Sequence, residues 1–303
     1  MTDSTPPDRS TLETEKRNPR SMALHAMNVR ELVKLHRLED AQVIAAMEAA
    51  EAALVNLIEA AEPGFVAGGR IVYLGAGTSG RLGVLDASEA PPTFQVDPGR
   101  VVGIIAGGDR ALRRSSEGLE DDPDGAKPEL ETLNLTSADT VVGIASGGTT
   151  PYVLGGLQWA RRTCPKAVVG LITATPMDRP EGIDHLVVLN TGPEILTGST
   201  RMKAGTATKL ALNTLSTTLM VRAGRVYENL MVDLRATNNK LLDRAARIVT
   251  MLCGVGRPEA FELLKEAGGA AKTAVVMQKL GLGRAEAEKK LRDCGGRLHE
   301  ILT

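Results

Sequence analysis

The 303-residue sequence predicts an α/β fold in which a parallel β-sheet is flanked by helices. Short apolar segments rich in β-branched residues alternate with helical segments along the middle of the chain, which is typical of a parallel sheet covered on both faces. Helical patterns precede the first strand, and from about Ala236 only short helical patterns broken by glycine remain. We therefore expect an N-terminal tail and helices over 1–60, a sheet domain over 61–236 and a small helical subdomain over 237–303.

The N-terminal region is expected to be helical after a disordered tail. Residues before about Leu12 are rich in serine, threonine, proline and aspartate, a composition typical of mobile chain ends. Two amphipathic helices are predicted over 21–37 and 39–61. The apolar stripe of the second, which includes Val43 and Leu54, fits packing on its own domain and a subunit interface equally well.

The remaining elements follow from local patterns. The five predicted strands are bounded by glycine, proline or asparagine, and they cover 70–74, 101–106, 140–145, 167–173 and 185–189. The predicted helices that alternate with them and close the sheet domain cover 80–89, 110–119, 125–133, 151–162 and about 199–221. The C-terminal helices are predicted over 238–252, 258–267, 270–280 and 284–293.

Composition excludes several classes of protein. A net charge of −1 and an aromatic content of 2% disfavour nucleic-acid binding, which needs a basic field and stacking rings. No apolar run approaches the roughly 18–20 residues that span a bilayer. Cys164, Cys253 and Cys294 are far apart and odd in number, which suits a reducing cytoplasm. The four histidines show no ligand spacing, so no metal or other cofactor is predicted.

The stretch 71–92 is predicted to form a strand–turn–helix unit, in which an apolar strand is followed by a glycine-rich turn and a helix. Unpaired N–H groups and the positive end of the helix dipole converge at such a loop and bind anions. The turn Gly75–Gly80 also fits the dinucleotide fingerprint, with Asp109 after the next strand, so a nucleotide oxidoreductase is an alternative. The hydroxyls of Thr78 and Ser79 favour a single phosphate instead.

A second hydroxyl-rich loop, 146–151, follows another strand and opens another helix. Two such loops at adjacent strand ends suit a monophosphorylated small molecule better than a pyrophosphate. The alternative is that these side chains only cap helices. We assign phosphate binding to one residue set from both loops: Thr78, Ser79, Gly80, Ser146, Thr149 and Thr150.

Carboxylates suggest acid–base chemistry. Glu89 lies at the end of the first helix, which Pro91 and Pro92 are expected to stop. Glu117 and Glu120 are three residues apart and are predicted to share one helical face. A pair formed by Glu89 and Glu120 could remove a proton from carbon and donate one to a leaving oxygen. The neighbouring aspartates fit a solvated helix end.

The long helix near 199–221 begins with hydroxyls and two cations. Ser199 or Thr200 is a good N-cap, and the same residues could instead donate to a bound anion. Ser199, Thr200, Lys203 and Glu117 are therefore further substrate-binding candidates. The cation that neutralises the phosphate stays open among Lys203, Arg201 and a C-terminal lysine.

Taken together, these stretches resemble the N-acetylmuramic acid 6-phosphate etherase family over nearly the whole chain. The glycine-rich loop alone is a weak signal, whereas 192–205 together with 86–92 is specific. The stretches that carry the resemblance are 14–18 (TEKRN), 74–83, 86–92, 104–108, 197–207 and 229–233.

The resemblance implies a sugar isomerase (SIS) fold and a homodimer with its site near the subunit interface. It also implies a cytoplasmic, metal-independent enzyme of cell-wall amino-sugar recycling. The implied lyase reaction cleaves the lactyl ether of N-acetylmuramic acid 6-phosphate and gives N-acetylglucosamine 6-phosphate and D-lactate. The family's acid–base glutamates fall on Glu89, the acid to lactate, and Glu120, the base at C2.

The second loop departs from the family pattern Ser-Gly-x-Thr-Pro-Tyr. Gly147 stands where the family has serine, and Thr149 stands where an arginine is common. Ser146, Thr149 or backbone N–H groups are therefore expected to bind the phosphate. A non-catalytic alternative is a sugar-phosphate sensor of the glucokinase regulatory protein type, which shares the 192–205 signature but carries two such domains in a longer chain.

Overall fold

The structure is a computed structural model that describes residues 8–115, 117–234 and 239–302. The chain forms two compact units. The first comprises Met1–Ser88 and Gly99–Leu215, and the second comprises Glu89–Pro98 and Ser216–Thr303. The expected boundary at 236/237 and most of the expected disordered tail fall outside the described residues.

The first unit is built on a five-stranded, all-parallel sheet in the order β2-β1-β3-β4-β5. Every predicted strand is confirmed to within two residues at each end. The strands are β1 (Ile71–Gly75), β2 (Val101–Ile105), β3 (Thr140–Ile144), β4 (Val168–Thr173) and β5 (His185–Val188). Both faces of the central strands are buried, as their continuous apolar sequences predict.

Helices precede and cover the sheet. Three short 3₁₀ turns lie between Glu13 and Ala26, and a capping box formed by Asn28 and Glu31 then starts α1. The N-terminal helices are α1 (Val29–Asp40), α2 (Gln42–Ala49) and α3 (Glu51–Val66). The helices that alternate with the strands or follow them are α4 (Gly77–Phe94), α5 (Gly108–Ala111), α6 (Lys127–Leu133), α7 (Pro151–Thr163) and α8 (Lys203–Arg222).

The two N-terminal helices expected over 21–37 and 39–61 are three in the structure, because the first begins only after its cap Asn28 and the second is divided at Ala50. In the sheet domain, three further helix predictions are wrong in detail. Helix α4 continues through Pro91 and Pro92 to Phe94, and Gln95, at φ 51°, follows it. A proline removes its own N–H donor but leaves its carbonyl available, and Pro91 O accepts from Gln95 N at 2.9 Å. The predicted helix at 110–119 is instead the single turn α5 and a 3₁₀ turn, Glu117–Leu119.

The third correction concerns α8, which begins at Lys203 instead of near Ser199. The carboxylate of Glu194 accepts hydrogen bonds from the backbone N–H groups of Lys203 and Ala204, at 3.1 and 2.9 Å. Glu194 therefore satisfies the first turn, the role expected of Ser199 or Thr200. A buried carboxylate nine residues upstream leaves no local sequence signal for this cap.

The second unit contains the predicted C-terminal helices, with an apolar core of its own that includes Val249, Leu264 and Val275. The helices are α9 (Asn239–Cys253), α10 (Arg257–Glu266), α11 (Ala271–Leu280), α12 (Arg284–Asp293) and α13 (His299–Leu302). Within the described ranges, no single helix meets the length and hydropathy needed to cross a membrane, although the bent pair Val29–Ala49 and Glu51–Val66 meets those two criteria when taken together.

Candidate functional site

A cavity of about 240 Å³ lies at the carboxyl ends of β1 and β3 in the first unit. The chain passes from β1 to β2 on one side and places β3 on the other, so this is the point where the strand order reverses. Ligands of open parallel sheets bind at such points. The lining residues are Arg9, Leu12, Thr14, Glu15, Ala76, Gly77, Thr78, Ser79, Glu120, Asp121, Ile144, Ser146, Gly147, Thr149, Thr150, Pro151, Gly198 and Thr200.

The first wall is the turn between β1 and α4. A Cβ on Gly80 would lie 2.7 Å from the carbonyl oxygen of Gly75 and 2.6 Å from Ile105, so glycine lets the helix start directly against the strand. Thr78 and Ser79 consequently line the cavity at the helix N-terminus. Gly80 is buried behind them and donates its N–H to Ala76 O at 3.2 Å, so its role is close packing.

The second wall is the loop between β3 and α7. The carbonyl oxygen of Ser146 accepts from Thr173 Oγ1 at 3.0 Å and from Ala174 N at 2.9 Å, which fixes the loop to the end of β4. Thr150 occupies the N-cap position of α7, yet its side chain makes no capping hydrogen bond. The capping alternative therefore fails for Thr150.

The side-chain hydroxyls on both walls have no hydrogen-bond partner among the described residues. Across the described part of the chain, no hydrogen bond joins the side chains of these five residues to another residue: Thr78, Ser79, Ser146, Thr149 and Thr150. Thr149 is exposed, whereas the other four are buried or half-buried. A hydroxyl that is shielded from water and has no partner costs free energy unless a ligand or an ordered water satisfies it. Together with the N-termini of α4 and α7, they form a surface suited to a phosphate.

Of the two proposed acid–base glutamates, the structure brings Glu120 to the cavity. Its backbone carbonyl accepts from Tyr152 N at 3.0 Å, and its half-buried side chain lines the cavity. Glu117 belongs to the 3₁₀ turn, not to a helical face shared with Glu120, and its side chain lies outside the described part of the structure. Glu89 is exposed on α4 and is not a lining residue.

At the start of α8 the structure brings Thr200 to the cavity, but not Ser199 or Lys203. The ammonium of Lys203 is buried and lies 2.7 Å from Glu39 Oε2 and 2.9 Å from Pro193 O. Asn18 Nδ2 donates to the same oxygen of Glu39 at 2.7 Å. Lys203 therefore joins α8 to α1 and to the N-terminal segment.

Comparison with proteins of known name decides the family. The chain is 51% identical to the N-acetylmuramic acid 6-phosphate etherase of Synechococcus sp. (strain CC9605), over 89% of this chain and 85% of that protein. It is 49% identical to the etherase of Salmonella agona (strain SL483), over 88% and 90%. The chain belongs to the N-acetylmuramic acid 6-phosphate etherase family. The resemblance expected from the sequence is confirmed.

Two family models also match. Residues 40–161 match the glucokinase regulatory protein N-terminal SIS domain, and residues 228–291 match the C-terminal lid domain of glucokinase regulatory protein. The predicted SIS-type sheet with a helical C-terminal part is confirmed. Among solved structures, the phosphoheptose isomerase of Neisseria gonorrhoeae aligns with a TM-score of 0.42 and 18% identity, over 63% of this chain and 98% of that one.

The N-terminal segment forms a wall of the cavity that the sequence motifs of the etherase family did not predict. Arg9, Leu12, Thr14 and Glu15 all line it. The only available signal was that 14–18 belongs to the resemblance, which assigns no position to these side chains. The tertiary structure places them beside the loop 146–151, which is more than 130 residues away in sequence.

A larger cavity, of about 1040 Å³, lies within the second unit. Its buried cation, Lys272, is committed to Asp233 at 2.6 Å and to the carbonyl oxygens of Gly224 and Gly296 at 2.9 and 2.8 Å. Burial lowers the pKa of Lys272 despite the charge of Asp233. In the described ranges, no group of three or more metal-ligating side chains is present in either unit.

Proposed function

We propose that the chain cleaves the lactyl ether of N-acetylmuramic acid 6-phosphate and releases N-acetylglucosamine 6-phosphate and D-lactate. The observation that carries the proposal is the convergence of five uncommitted hydroxyls and the carboxylate of Glu120 in one small cavity. Family membership supports the choice of N-acetylmuramic acid 6-phosphate as substrate, since relatives at 49–51% identity carry the etherase name. The reaction serves the recycling of cell-wall amino sugar.

The hydroxyl loops bind the phosphate. Thr78 and Ser79 at the start of α4 and Ser146, Thr149 and Thr150 before α7 donate to its oxygens. The two helix N-termini add a favourable dipole, while Gly80 acts through packing. Thr200 lies on the cavity wall and is the remaining candidate from the start of α8 for contacts with the sugar. No step in this mechanism requires a cofactor.

The chemistry is an elimination followed by addition of water. In the open-chain aldehyde the carbonyl acidifies the C2 proton, which Glu120 removes as general base. The C3–O bond breaks, and Glu89 protonates the departing lactate oxygen. Water then adds its hydroxyl to C3 of the unsaturated aldehyde, and a proton returns to C2, with the two glutamates in reversed roles.

A homodimer explains how Glu89 acts. Glu89 follows Gly77 by twelve residues on α4, which corresponds to about 18 Å along the helix axis. A side chain at that distance from the phosphate end of its own helix does not reach C3 of a sugar bound there. We therefore assign the acid to the partner's Glu89. Exposed apolar side chains on the N-terminal helices, Val29, Val33 and Ile44, at 64–77% exposure, support a subunit interface.

A cytoplasmic location completes the proposal. The three cysteines are all free, which suits a reducing compartment. A regulator of the glucokinase regulatory protein type is the second candidate, because both matching family models carry that name. The regulator predicts sugar-phosphate binding without turnover.

The first experiment measures D-lactate release from N-acetylmuramic acid 6-phosphate by the purified protein in the presence of a chelator. We expect release by the wild-type chain. Glu89→Gln should abolish release while leaving folding and sugar-phosphate binding intact. Sugar-phosphate binding without lactate release by the wild type would favour the regulator, and ready release by the Glu89→Gln variant would refute the role of Glu89.

A further inference from the structure

The charged residues that line the cavity of about 240 Å³ at the ends of β1 and β3 are mostly acidic, whereas the ligand proposed for it is an anion. Its acidic lining residues in the described structure are Glu15, Glu120 and Asp121, and its basic lining residue is Arg9. The proposed substrate carries a phosphate and a lactyl carboxylate. Hydroxyls and helix N-termini supply only partial charges, so a full positive charge is needed to offset the carboxylates and hold such an anion.

Two of the cations expected from the sequence, Lys203 and Arg201, do not supply this charge. Lys203 is 3% exposed, and its ammonium is bonded to Glu39 and to Pro193 O. Arg201 is exposed, but it does not line the cavity. The basic group that remains within the described lining is Arg9.

The segment that carries Arg9 is fixed to the first unit by backbone and side-chain contacts. The carbonyl oxygen of Arg9 accepts from Leu12 N at 3.0 Å, and Glu15 N donates to Leu12 O at 2.9 Å. Thr14 is 3% exposed, and its hydroxyl lies 3.5 Å from Thr175 Oγ1. Asn18, also buried, is bonded to Glu39 and to Pro193 O.

The same segment packs beside the second hydroxyl loop. A Cβ on Gly147 would lie 3.6 Å from Leu12 Cδ1 and 3.9 Å from Thr14 Oγ1, which is ordinary van der Waals contact. Arg9 precedes Leu12 by one turn and lines the cavity from this side. Thr149, which is exposed on the loop, lines it too.

We propose that Arg9 is the binding residue that neutralises an oxyanion of the substrate. Its planar guanidinium can donate two parallel hydrogen bonds to a phosphate or a carboxylate. The proposal rests on the phosphosugar function proposed above and adds a specificity-determining residue from the N-terminal segment.

The test compares Arg9→Gln with wild type in two assays. Calorimetry measures binding of N-acetylglucosamine 6-phosphate, and lactate release gives KM and kcat. We expect about a tenfold or larger rise in KM with kcat nearly unchanged, because a charge-assisted contact to a non-reacting group contributes to binding. Arg162→Gln, an exposed arginine near the end of α7 that does not line the cavity, is the matched control and should behave as wild type.

A rescue variant separates charge from structure. Thr149 lies on the second hydroxyl loop, beside the N-terminal segment, so Thr149→Arg combined with Arg9→Gln returns a positive charge to the same side of the cavity. We expect the double variant to recover most of the lost affinity. Recovery would support an electrostatic role, and a KM in the double variant as high as in Arg9→Gln would count against it.

The two ligands distinguish which oxyanion Arg9 contacts. Weaker calorimetric binding of N-acetylglucosamine 6-phosphate assigns the phosphate, whereas a raised KM for the muramic acid substrate alone assigns the lactyl carboxylate. An Arg9→Gln variant with wild-type binding and KM would overturn the proposal. Failure of the etherase function would show instead as absent lactate release by the wild type, and the calorimetric comparison would still test Arg9.

Discussion

The ammonium of Lys203 lies 2.7 Å from Oε2 of Glu39, and the two side chains are 3% and 1% exposed. Asn18 donates to the same carboxylate, and Arg20 Nε lies 2.5 Å from its other oxygen. These contacts join the N-terminal segment, α1 and the start of α8. The wall residues Thr14 and Glu15 come shortly before Asn18, and Thr200 comes shortly before Lys203. The buried ion pair therefore supports the shape of the cavity.

Breaking this ion pair is expected to destabilise the protein strongly. Lys203→Met leaves the buried carboxylate of Glu39 without its main counter-charge, which typically costs about 3–5 kcal/mol of unfolding free energy. Replacing both residues by apolar ones should cost less than the sum of the single variants, because neither charge is then buried alone. Urea unfolding measures all three variants.

The control is the exposed pair Lys127–Glu131, at 3.9 Å. Glu131→Gln is expected to change the unfolding free energy by less than about 1 kcal/mol, since exposed pairs contribute little. Equal losses for Glu131→Gln and Lys203→Met would contradict the importance of burial.

Acid should destabilise the first unit through two buried carboxylates. Burial alone would raise the pKa of Glu39, but hydrogen bonds from Lys203 and Asn18 and the nearby positive charges outweigh it, so the pKa lies below its ordinary value of 4.5. The pKa of Asp139 is likewise lowered, because hydrogen bonds from Arg70 and Thr136 outweigh its burial. Their stabilisation is complete above the ordinary pKa values and is lost as the pH falls through the lowered ones.

The measurement is the unfolding free energy between pH 6 and 3. Asp139→Asn should be less stable than wild type at pH 6 and should lose less on acidification. Glu194 acts in the opposite direction, because burial raises its pKa despite the two backbone N–H donors. An Asp139→Asn variant with an unchanged acid dependence would contradict the assignment.

Restoring the family's serine in the second loop should be tolerated and should improve binding. Gly147 has no left-handed φ, and an added Cβ meets only ordinary contacts. Gly147→Ser adds a hydroxyl to the cavity wall and is expected to lower KM up to about fivefold, equivalent to one hydrogen bond of ~1 kcal/mol.

Gly148→Ser is the matched contrast. Gly148 has φ 73°, and a Cβ there would lie 2.3 Å from Met177 Sδ. A loss of about 1–3 kcal/mol in unfolding free energy is expected from strain and overpacking. If Gly147→Ser destabilised the protein as much as Gly148→Ser, the loop conformation described above would be wrong.

Glu120 is expected to control exchange at C2 of the sugar. Turnover in deuterium oxide should place one deuterium at C2 of the product, detectable by mass spectrometry. Glu120→Gln should lower lactate release by about 10²–10⁴-fold, the usual contribution of a general base, while sugar-phosphate binding persists. Undiminished release with deuterium at C2 in this variant would show that another group is the base.

Local patterns were sufficient to predict the sheet. The strands around Val72, Val142 and Val169 are short, β-branched and bounded by breakers, so neighbouring residues alone identify them. The hydroxyls of Thr78 and Ser146 were also predictable, because loops after parallel strands meet at one edge of the sheet. Helix ends were less predictable: Pro91 and Pro92 lie inside α4, and Glu194 satisfies the first turn of α8.

The sequence by itself determined the fold class, the family and the chemical character of the two hydroxyl loops, because each depends on residues close together in the chain. Only the tertiary structure decided that Lys203 is joined to Glu39 across 164 residues and that Arg9 and Glu15 line the cavity. Whether a charged side chain faces a ligand or a buried counter-charge depends on what packs against it, and that partner comes from a distant part of the chain.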